Sequence, residues 1–235
     1  MLELKNVSAG YGPLQILWGI SLKVETGEFV SMVGPNGAGK TTCLKSIAGM
    51  LDVTEGEVIF KDAVINKMQT SDITSLGLSF VTEEGCLFTG MTVAENLDLG
   101  AFILSDKKKI KELQDNIFDL FPRLAERKKQ LAGTLSGGER KMLSIARGLM
   151  SNPSILMVDE PSLGLAPNLV DSVFDALITL NKKGVTILLV EQNVHTTLEI
   201  TDRTYVIEQG HICLQGLSSE MLDNEHVKSC YLGIV

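Results

Sequence analysis

Apolar and polar positions alternate in blocks along the chain, and the period changes from block to block. "LELKNVS" (2–8) and "ISLKV" (20–24) alternate with a period of two, and "EFVSMV" (28–33) is apolar and partly β-branched, so three short strands are expected. After a Gly-rich turn, "KTTCLKSIAGML" has the pattern of a helix, and "EVIF" (57–60) and "GLSFVT" (77–82) return to strand. From about Thr92 to Arg127 the pattern is helical, with Ile110, Leu113, Ile117, Leu120 and Phe121 forming an apolar stripe.

Beyond Thr134 helix and strand alternate. "GERKMLSIARGLMS" reads as helix and "SILMVDE" as strand. A helix from near Pro167 carries Val170, Val173, Phe174, Leu177 and Ile178 on one face, and the strand "VTILLVEQ" follows. The helix ends in "NKKG", with lysines suited to the negative end of the helix dipole and Gly184 as a left-handed stop. Such alternation implies parallel strands covered by helices. The runs "ILMV" and "ILLV" imply strands buried on both faces. The block from about 85 to 150 reads as a helical insertion into this sheet. With no repeats, low-complexity tracts or long linkers, residues 1–235 form one chain of two lobes: about 1–84 with 151–235, and about 85–150.

Composition excludes several function classes. The chain has 235 residues, of which 44% are hydrophobic, enough for a sizeable core. No apolar run approaches the roughly 18–20 residues needed to span a bilayer. Met1 leads straight into an alternating segment with no signal peptide, so a cytoplasmic protein, able to dock on a membrane component, is expected. Lys and Arg number 21 against 29 Asp and Glu, a net charge of -8, which argues against a nucleic-acid partner. Cys43, Cys86, Cys213 and Cys230 are scattered without a CxxC pair. They are expected to be packing residues in a reducing compartment, neither disulfide-bonded nor zinc-binding.

The chemistry begins at "GPNGAGKTT", Gly34-Pro35-Asn36-Gly37-Ala38-Gly39-Lys40-Thr41-Thr42, which fits G-x-x-x-x-G-K-[ST] after an apolar strand. Its glycines allow backbone N–H groups to turn inward, and with the following helix N-terminus they form an anion cradle. Lys40 would bring charge to the β- and γ-phosphates, and the Thr41 hydroxyl would ligate Mg²⁺. "ILMVDEP" places Asp159 and Glu160 at the carboxyl end of a buried strand, where ligands sit in open parallel sheets. One carboxylate would hold the magnesium water shell and the next would position an attacking water. A nucleotide kinase, a GTPase or a motor would satisfy both motifs. "LSGGERKML" separates them: Ser136, Gly137 and Gly138 stand at a second helix start, although the chain already has its own phosphate cradle.

In this order the three motifs resemble the ATP-binding-cassette (ABC) ATPases, and the resemblance covers essentially the whole chain. It implies an α/β P-loop fold with a mainly parallel core sheet, an antiparallel β subdomain and an inserted helical subdomain. ATP and Mg²⁺ are the implied cofactors. Ser136 to Gly138 would complete the site of an opposing subunit, Tyr11 in "YGPLQIL" would stack on adenine, and "SLGLAP" (162–167) would touch that subunit. Glu160 would orient the attacking water.

Two positions depart from the general family pattern. Glu83 stands where a magnesium-contacting glutamine is usual, and Gln192 where a histidine usually meets the γ-phosphate. Gln192 can donate an amide N–H but carries no charge. His195 falls in the first turn of the next helix, as a solvated or capping group. Acid at 83, "VEQN" and "DEPSLGLAP" together resemble the second ATPase subunit of importers for branched-chain and other hydrophobic amino acids, and the "LDNE…YLG" tail is similar. That branch commonly has "EGRR" where this chain has "EEGC", and glutamines in place of Arg140 and Lys141.

The implied partners are a second cassette, usually a different chain with a homodimer left open for the isolated chain, and two membrane permease subunits. An extracytoplasmic substrate-binding protein would act through the permease. The implied location is the cytoplasmic face of the membrane, peripherally. Other transporters, non-transport ABC ATPases and a non-hydrolysing regulatory module stay open as alternatives.

Overall fold

The structure, a computed structural model, describes residues 1–232. Two sheets enclose one helix. The first sheet is antiparallel in the order β2-β1-β4-β5 and is built from β1 (Leu2–Tyr11), β2 (Leu14–Val24), β4 (Val53–Phe60) and β5 (Ala63–Val64). The second has the order β10-β9-β3-β8-β7-β6. Its members are β3 (Phe29–Val33), β6 (Leu78–Val81), β7 (Ile155–Asp159), β8 (Thr186–Glu191), β9 (Arg203–Glu208) and β10 (His211–Leu217). All its neighbours are parallel except the edge pair β9–β10.

The strands expected from continuous apolar runs lie at the centre. Every residue of β3, β7 and β8 is buried, because helices or the other sheet cover both faces. Helix α1 (Lys40–Ile47) sits between the sheets, with Leu44 and Ile47 in one cluster with Leu4, Leu17, Met32 and Val190. α2 (Thr70–Ser75) leads into β6.

Between β6 and β7, adjacent in the sheet, the chain carries α3 (Val93–Gly100), α4 (Lys107–Leu120), α5 (Pro122–Glu126) and α6 (Gly137–Leu149). The helical run from Thr92 thus divides into three helices, each with a local start signal. Thr92 and Glu95 form a capping box, Asp106 caps α4, and Pro122 opens α5. Leu143, Ile145 and Ala146 of α6 share a core with Val81, Leu156 and Val158 of the sheet and with Val173 and Leu177 of α7 (Pro167–Lys182). The inserted segment is therefore joined to the sheet by its last helix. α8 (Val194–Ile200), α9 (Ser218–Met221) and α10 (Glu225–Val227) complete the elements named here.

Several features differ from the sequence expectation. β1, β2 and β4 begin earlier or end later than the alternating cores alone indicate. The hairpin of β9 and β10 was not among the expected strands, although Tyr205, Val206 and Ile207 of β9 form a buried apolar run. Its tight turn takes Gln209 and Gly210 at φ 46° and 80°, the two left-handed residues of a favoured hairpin connection. Among the described cysteine side chains Cys43 is buried and Cys86 and Cys213 are exposed, which corrects the reading of those two as packing residues. The Cys230 side chain and Gly233 of the tail motif lie outside the described residues. Among the described residues no helix is long and apolar enough to cross a membrane.

Candidate functional site

The loop from Gly34 to Gly39 leaves β3 at its carboxyl end and enters α1 without a side-chain cap. That leaves the first N–H groups of α1 directed outward without a capping side chain. Two glycines are required by geometry. A Cβ on Gly34 would lie 2.2 Å from the Ile207 carbonyl oxygen, and Gly39 has φ 108° with Leu17 2.8 Å from where its Cβ would be.

Lys40 is buried and folds back over the loop. Its ammonium donates to the carbonyls of Gly34 (2.9 Å) and Pro35 (3.1 Å) and pairs with Glu160 Oε1 at 3.1 Å. All three of its donors are therefore engaged at the mouth of the cradle. Asn36, Gly37, Lys40, Thr41, Glu83 and Glu160 line a common cleft of about 410 Å³, alongside Thr42 and Leu163. Gly34, Pro35 and Ala38 shape the loop from behind; Ala38 is buried, and its carbonyl accepts from Gly210.

Asp159 ends β7 and is 1% exposed, yet neither carboxylate oxygen has a hydrogen-bond partner. Burial pushes its carboxyl up to about 6. The nearby Thr41 hydroxyl opposes that push without hydrogen-bonding either oxygen, Glu160 and Glu83 reinforce it, and Lys40 opposes it. A buried, unpaired carboxylate beside a threonine hydroxyl and a second acid, all oxygen donors, fits a hard divalent cation such as Mg²⁺. When bound, that ion would supply charge neutralisation for phosphates; Thr41, Asp159 and Glu83 are the residues that would hold it.

The metal-free chain should show the cost of this arrangement. The native pKa of Asp159 lies above its unfolded value. The native state therefore holds the proton more tightly, and stability falls as pH rises through the window from about 4 to about 6. Asp159→Asn is expected to raise the thermal midpoint of the nucleotide- and metal-free protein by a few degrees at pH 7.5 and to change little at pH 4. An equal shift at both pH values would rule out an ionised Asp159 as the cause.

Glu160 follows at φ 41°, a left-handed conformation that costs a non-glycine residue about 1–3 kcal/mol. Its N–H donates to the Val190 carbonyl at 2.9 Å, and its carbonyl accepts from the Lys141 ammonium at 3.5 Å. The turn aims the Glu160 carboxylate at Lys40 instead of along the strand.

Glu191 is the residue the sequence reading passed over. It is 1% exposed at the end of β8 and accepts from the Ser162 N–H (2.9 Å), the Ser162 hydroxyl (2.9 Å) and the Gln192 N–H (3.0 Å). One carboxylate thus fixes both the loop after Glu160 and the backbone at Gln192, where the chain leaves β8. An acid closing an otherwise apolar strand was the available signal. Glu191→Gln turns one acceptor into a donor facing these groups, at a cost of about 1–3 kcal/mol. It is expected to speed hydrogen exchange at 162 and 192 before affecting the rest of the chain.

The remaining predicted residues are not brought into the cleft. The Gln192 side chain is exposed and does not line it. His195 is exposed in the first turn of α8 and lies 3.6 Å from Glu199, a contact within its own helix. Tyr11 is 45% exposed at the end of β1. Ser136 caps α6 through a capping box with Glu139, which Arg127 holds at 2.6 Å; Gly138 lies so close to Leu169 that a Cβ would be 2.8 Å from it. Ser136, Gly137 and Gly138 stand outside the cleft of their own chain.

The chain resembles transport ATP-binding proteins over nearly its whole length. The chain is 41% identical over 233 residues, covering 99% of it and 100% of the relative, to the high-affinity branched-chain amino acid transport ATP-binding protein BraG of Pseudomonas aeruginosa. It is 38% identical over its full length and the full length of the relative to the probable branched-chain amino acid transport ATP-binding protein LivF of Archaeoglobus fulgidus. It is 31% identical, over 99% of its length and 97% of the relative, to the lipopolysaccharide export system ATP-binding protein LptB of Escherichia coli K12. Among solved structures, the ADP conformation of MJ1267, an ATP-binding cassette of an ABC transporter, superposes with a TM-score of 0.86 at 28% identity, covering 99% of this chain and 98% of that one. The dimeric post-hydrolysis state of the cassette MJ0796 bound to ADP and Pi superposes with a TM-score of 0.82 at 25% identity, covering 93% and 99%. Residues 17–163 match the family described as ABC transporter, and with this phosphate cradle and acid pair the chain belongs to that family, as one of its ATP-hydrolysing cassettes that uses ATP with Mg²⁺.

Proposed function

We propose that this cassette powers an importer for branched-chain or other hydrophobic amino acids from the cytoplasmic face of the membrane. Its full-length likeness to two branched-chain amino acid transport subunits supports the solute class. The observation that carries the mechanism is the separation of its motifs. Lys40, Thr41, Asp159 and Glu160 gather in one place, while Ser136 to Gly138 stand outside that cleft. A second cassette, facing this one in reverse, would supply the missing wall of each site, and each chain would lend its Ser136–Gly138 segment in exchange.

In this reading the cradle N–H groups and Lys40 bind the phosphates. Binding releases Lys40 from the Gly34 and Pro35 carbonyls. Asp159, Thr41 and Glu83 hold the metal, Glu160 orients water for in-line attack, Gln192 donates an amide N–H to the terminal phosphate, and Tyr11 stacks on the base. Residues 1–84 and 151–235 act as the catalytic lobe, and 85–150 as the helical lobe whose movement reports closure.

A groove of about 410 Å³ beside the loop after β6, lined by Thr82, Cys86, Phe88, Leu99, Arg147 and Ser151, is the place where a permease segment would seat. Phe88 and, nearby in sequence, Phe102 are exposed apolar anchors for it. An extracytoplasmic binding protein would deliver solute to the permease without touching this chain.

The test is co-purification followed by transport. The chain should bring down a second cassette and two polytopic membrane proteins. Proteoliposomes of that complex should take up radiolabelled leucine or isoleucine with ATP inside and the matching binding protein outside. Recovery of a lipid-extracting complex that takes up no amino acid would instead favour the export role of the LptB relative.

A further inference from the structure

We propose that Lys141 is a positioning residue for hydrolysis: an ammonium on α6 that pins the backbone carbonyls of Glu83 and Glu160, tying the placement of that helix to the loop after β6 and to the turn that aims the Glu160 carboxylate. Lys141 is only 9% exposed, an unusual state for lysine, and its ammonium donates to the Glu83 carbonyl at 2.6 Å and to the Glu160 carbonyl at 3.5 Å. Ordering and desolvating so long a side chain is unfavourable unless its surroundings compensate. They do so with charge as well as hydrogen bonds. Burial lowers its pKa, while the carboxylates of Glu83, Glu191, Asp159 and Glu160 oppose that by favouring the cation. Lys40, the buried cation that lines the cleft, is committed to Glu160.

The grip is organised along one face of α6. Lys141, Ser144 and Arg147 recur at helical spacing and hold successive carbonyls of the loop after β6. Ser144 donates to Gly85 at 2.9 Å, and Arg147 donates to Gly85 at 3.0 Å and to Cys86 at 2.7 Å. Only Lys141 of these three also reaches the Glu160 turn. That turn is strained: its N–H is held by Val190 and its carbonyl by Lys141, so the left-handed conformation at Glu160 is fixed from both sides. Lys141 lies five positions after the helix cap Ser136 on the same rigid helix. A shift of α6 on docking against a partner would therefore displace the ammonium from both carbonyls together. A neutral side chain could satisfy one carbonyl but could not balance the four acids.

The inference rests on Glu160 acting in hydrolysis, and the experiment keeps the two apart. Steady-state Mg-ATP hydrolysis is measured for the wild type, Lys141→Met, Lys141→Arg and, as a control, Glu160→Gln. Hydrogen exchange of segments 82–86 and 159–163 is followed without nucleotide. Methionine keeps an unbranched side chain only one heavy atom shorter but removes the donors. Lys141→Met is expected to lower kcat by about 10- to 100-fold, the cost of a slightly misplaced group. KM for ATP should stay within about 2-fold, because Lys141 does not line the nucleotide cleft. Exchange should quicken in those two segments alone, and Lys141→Arg should recover most of kcat. The proposal is overturned if Lys141→Met keeps kcat within about 2-fold of wild type, or if Met and Arg variants lose kcat and KM equally while exchange rises throughout the chain, which marks a residue that only holds the fold. Full turnover by Glu160→Gln would overturn the role of Glu160 instead, whatever Lys141 does.

Discussion

Glu160→Gln is expected to lower ATP turnover by about 100-fold or more while leaving nucleotide binding in place. The amide is nearly isosteric with the carboxylate, and its oxygen can still accept from the Lys40 ammonium, now at 3.1 Å from Glu160 Oε1. What it loses is basicity and negative charge, the two properties needed to polarise an attacking water. The left-handed turn at Glu160 is held through backbone atoms, by Val190 and Lys141, so the substitution leaves its geometry intact. The measurements are Mg-dependent phosphate release and binding of a fluorescent ATP analogue. The variant should also accumulate as an ATP-dependent dimer on size exclusion, because pairing would no longer be ended by hydrolysis. Wild-type turnover in this variant would remove Glu160 from the chemistry.

Lys40→Met carries the second large effect, on affinity and stability together. In the wild type the Lys40 ammonium satisfies two loop carbonyls and the buried carboxylate of Glu160. Hydrogen bonds from a charged donor to phosphate oxygens contribute about 1.5–3 kcal/mol each, so losing them should weaken ATP binding by about 100-fold. Removing one partner also leaves Glu160 as an uncompensated buried charge, a loss of about 3–5 kcal/mol for a fully buried pair. The thermal midpoint should therefore fall by about 10 °C. Adding Glu160→Gln to Lys40→Met should recover much of that midpoint without restoring ATP binding. Isothermal titration and thermal melts of the single and double variants form the cycle that checks this. Additive losses in stability would show that the pair is not coupled.

These two effects differ in kind from those at the Gln192 end of the site. At Gln192 the backbone, not the exposed side chain, is held, and Glu191 holds it through the same carboxylate that grips Ser162. The segment carrying Gln192 and the loop after Glu160 are thus joined mechanically, even though Gln192 cannot carry a charge.

The sequence by itself determined the parts of this protein whose cause is local. The strands β3, β7 and β8 are buried on both faces, and burial on both faces leaves a continuous apolar run that needs no partner to be recognised. The phosphate cradle is legible for the same reason: nine consecutive residues from Gly34 to Thr42 supply its turn, its charge and its hydroxyl. The start of α6 at Ser136 is written in four residues as a capping box.

Tertiary structure alone decided whatever depends on residues meeting from distant places. The edge strand β10 alternates only between exposed and half-buried positions, so its own apolar pattern is weak, and its pairing with β9 is what gives it a place. Asp159 and Glu160 are adjacent letters, but one ends as an orphaned buried carboxylate and the other as the partner of Lys40, because the chain turns left-handed between them. The contacts of Lys141 with Glu83 and of Glu191 with Ser162 span 58 and 29 residues. Periodicity reports which face of an element is covered; it carries no term for which distant carbonyl a buried ammonium will find, and that choice is made only when the packed sheet and helices bring the two together.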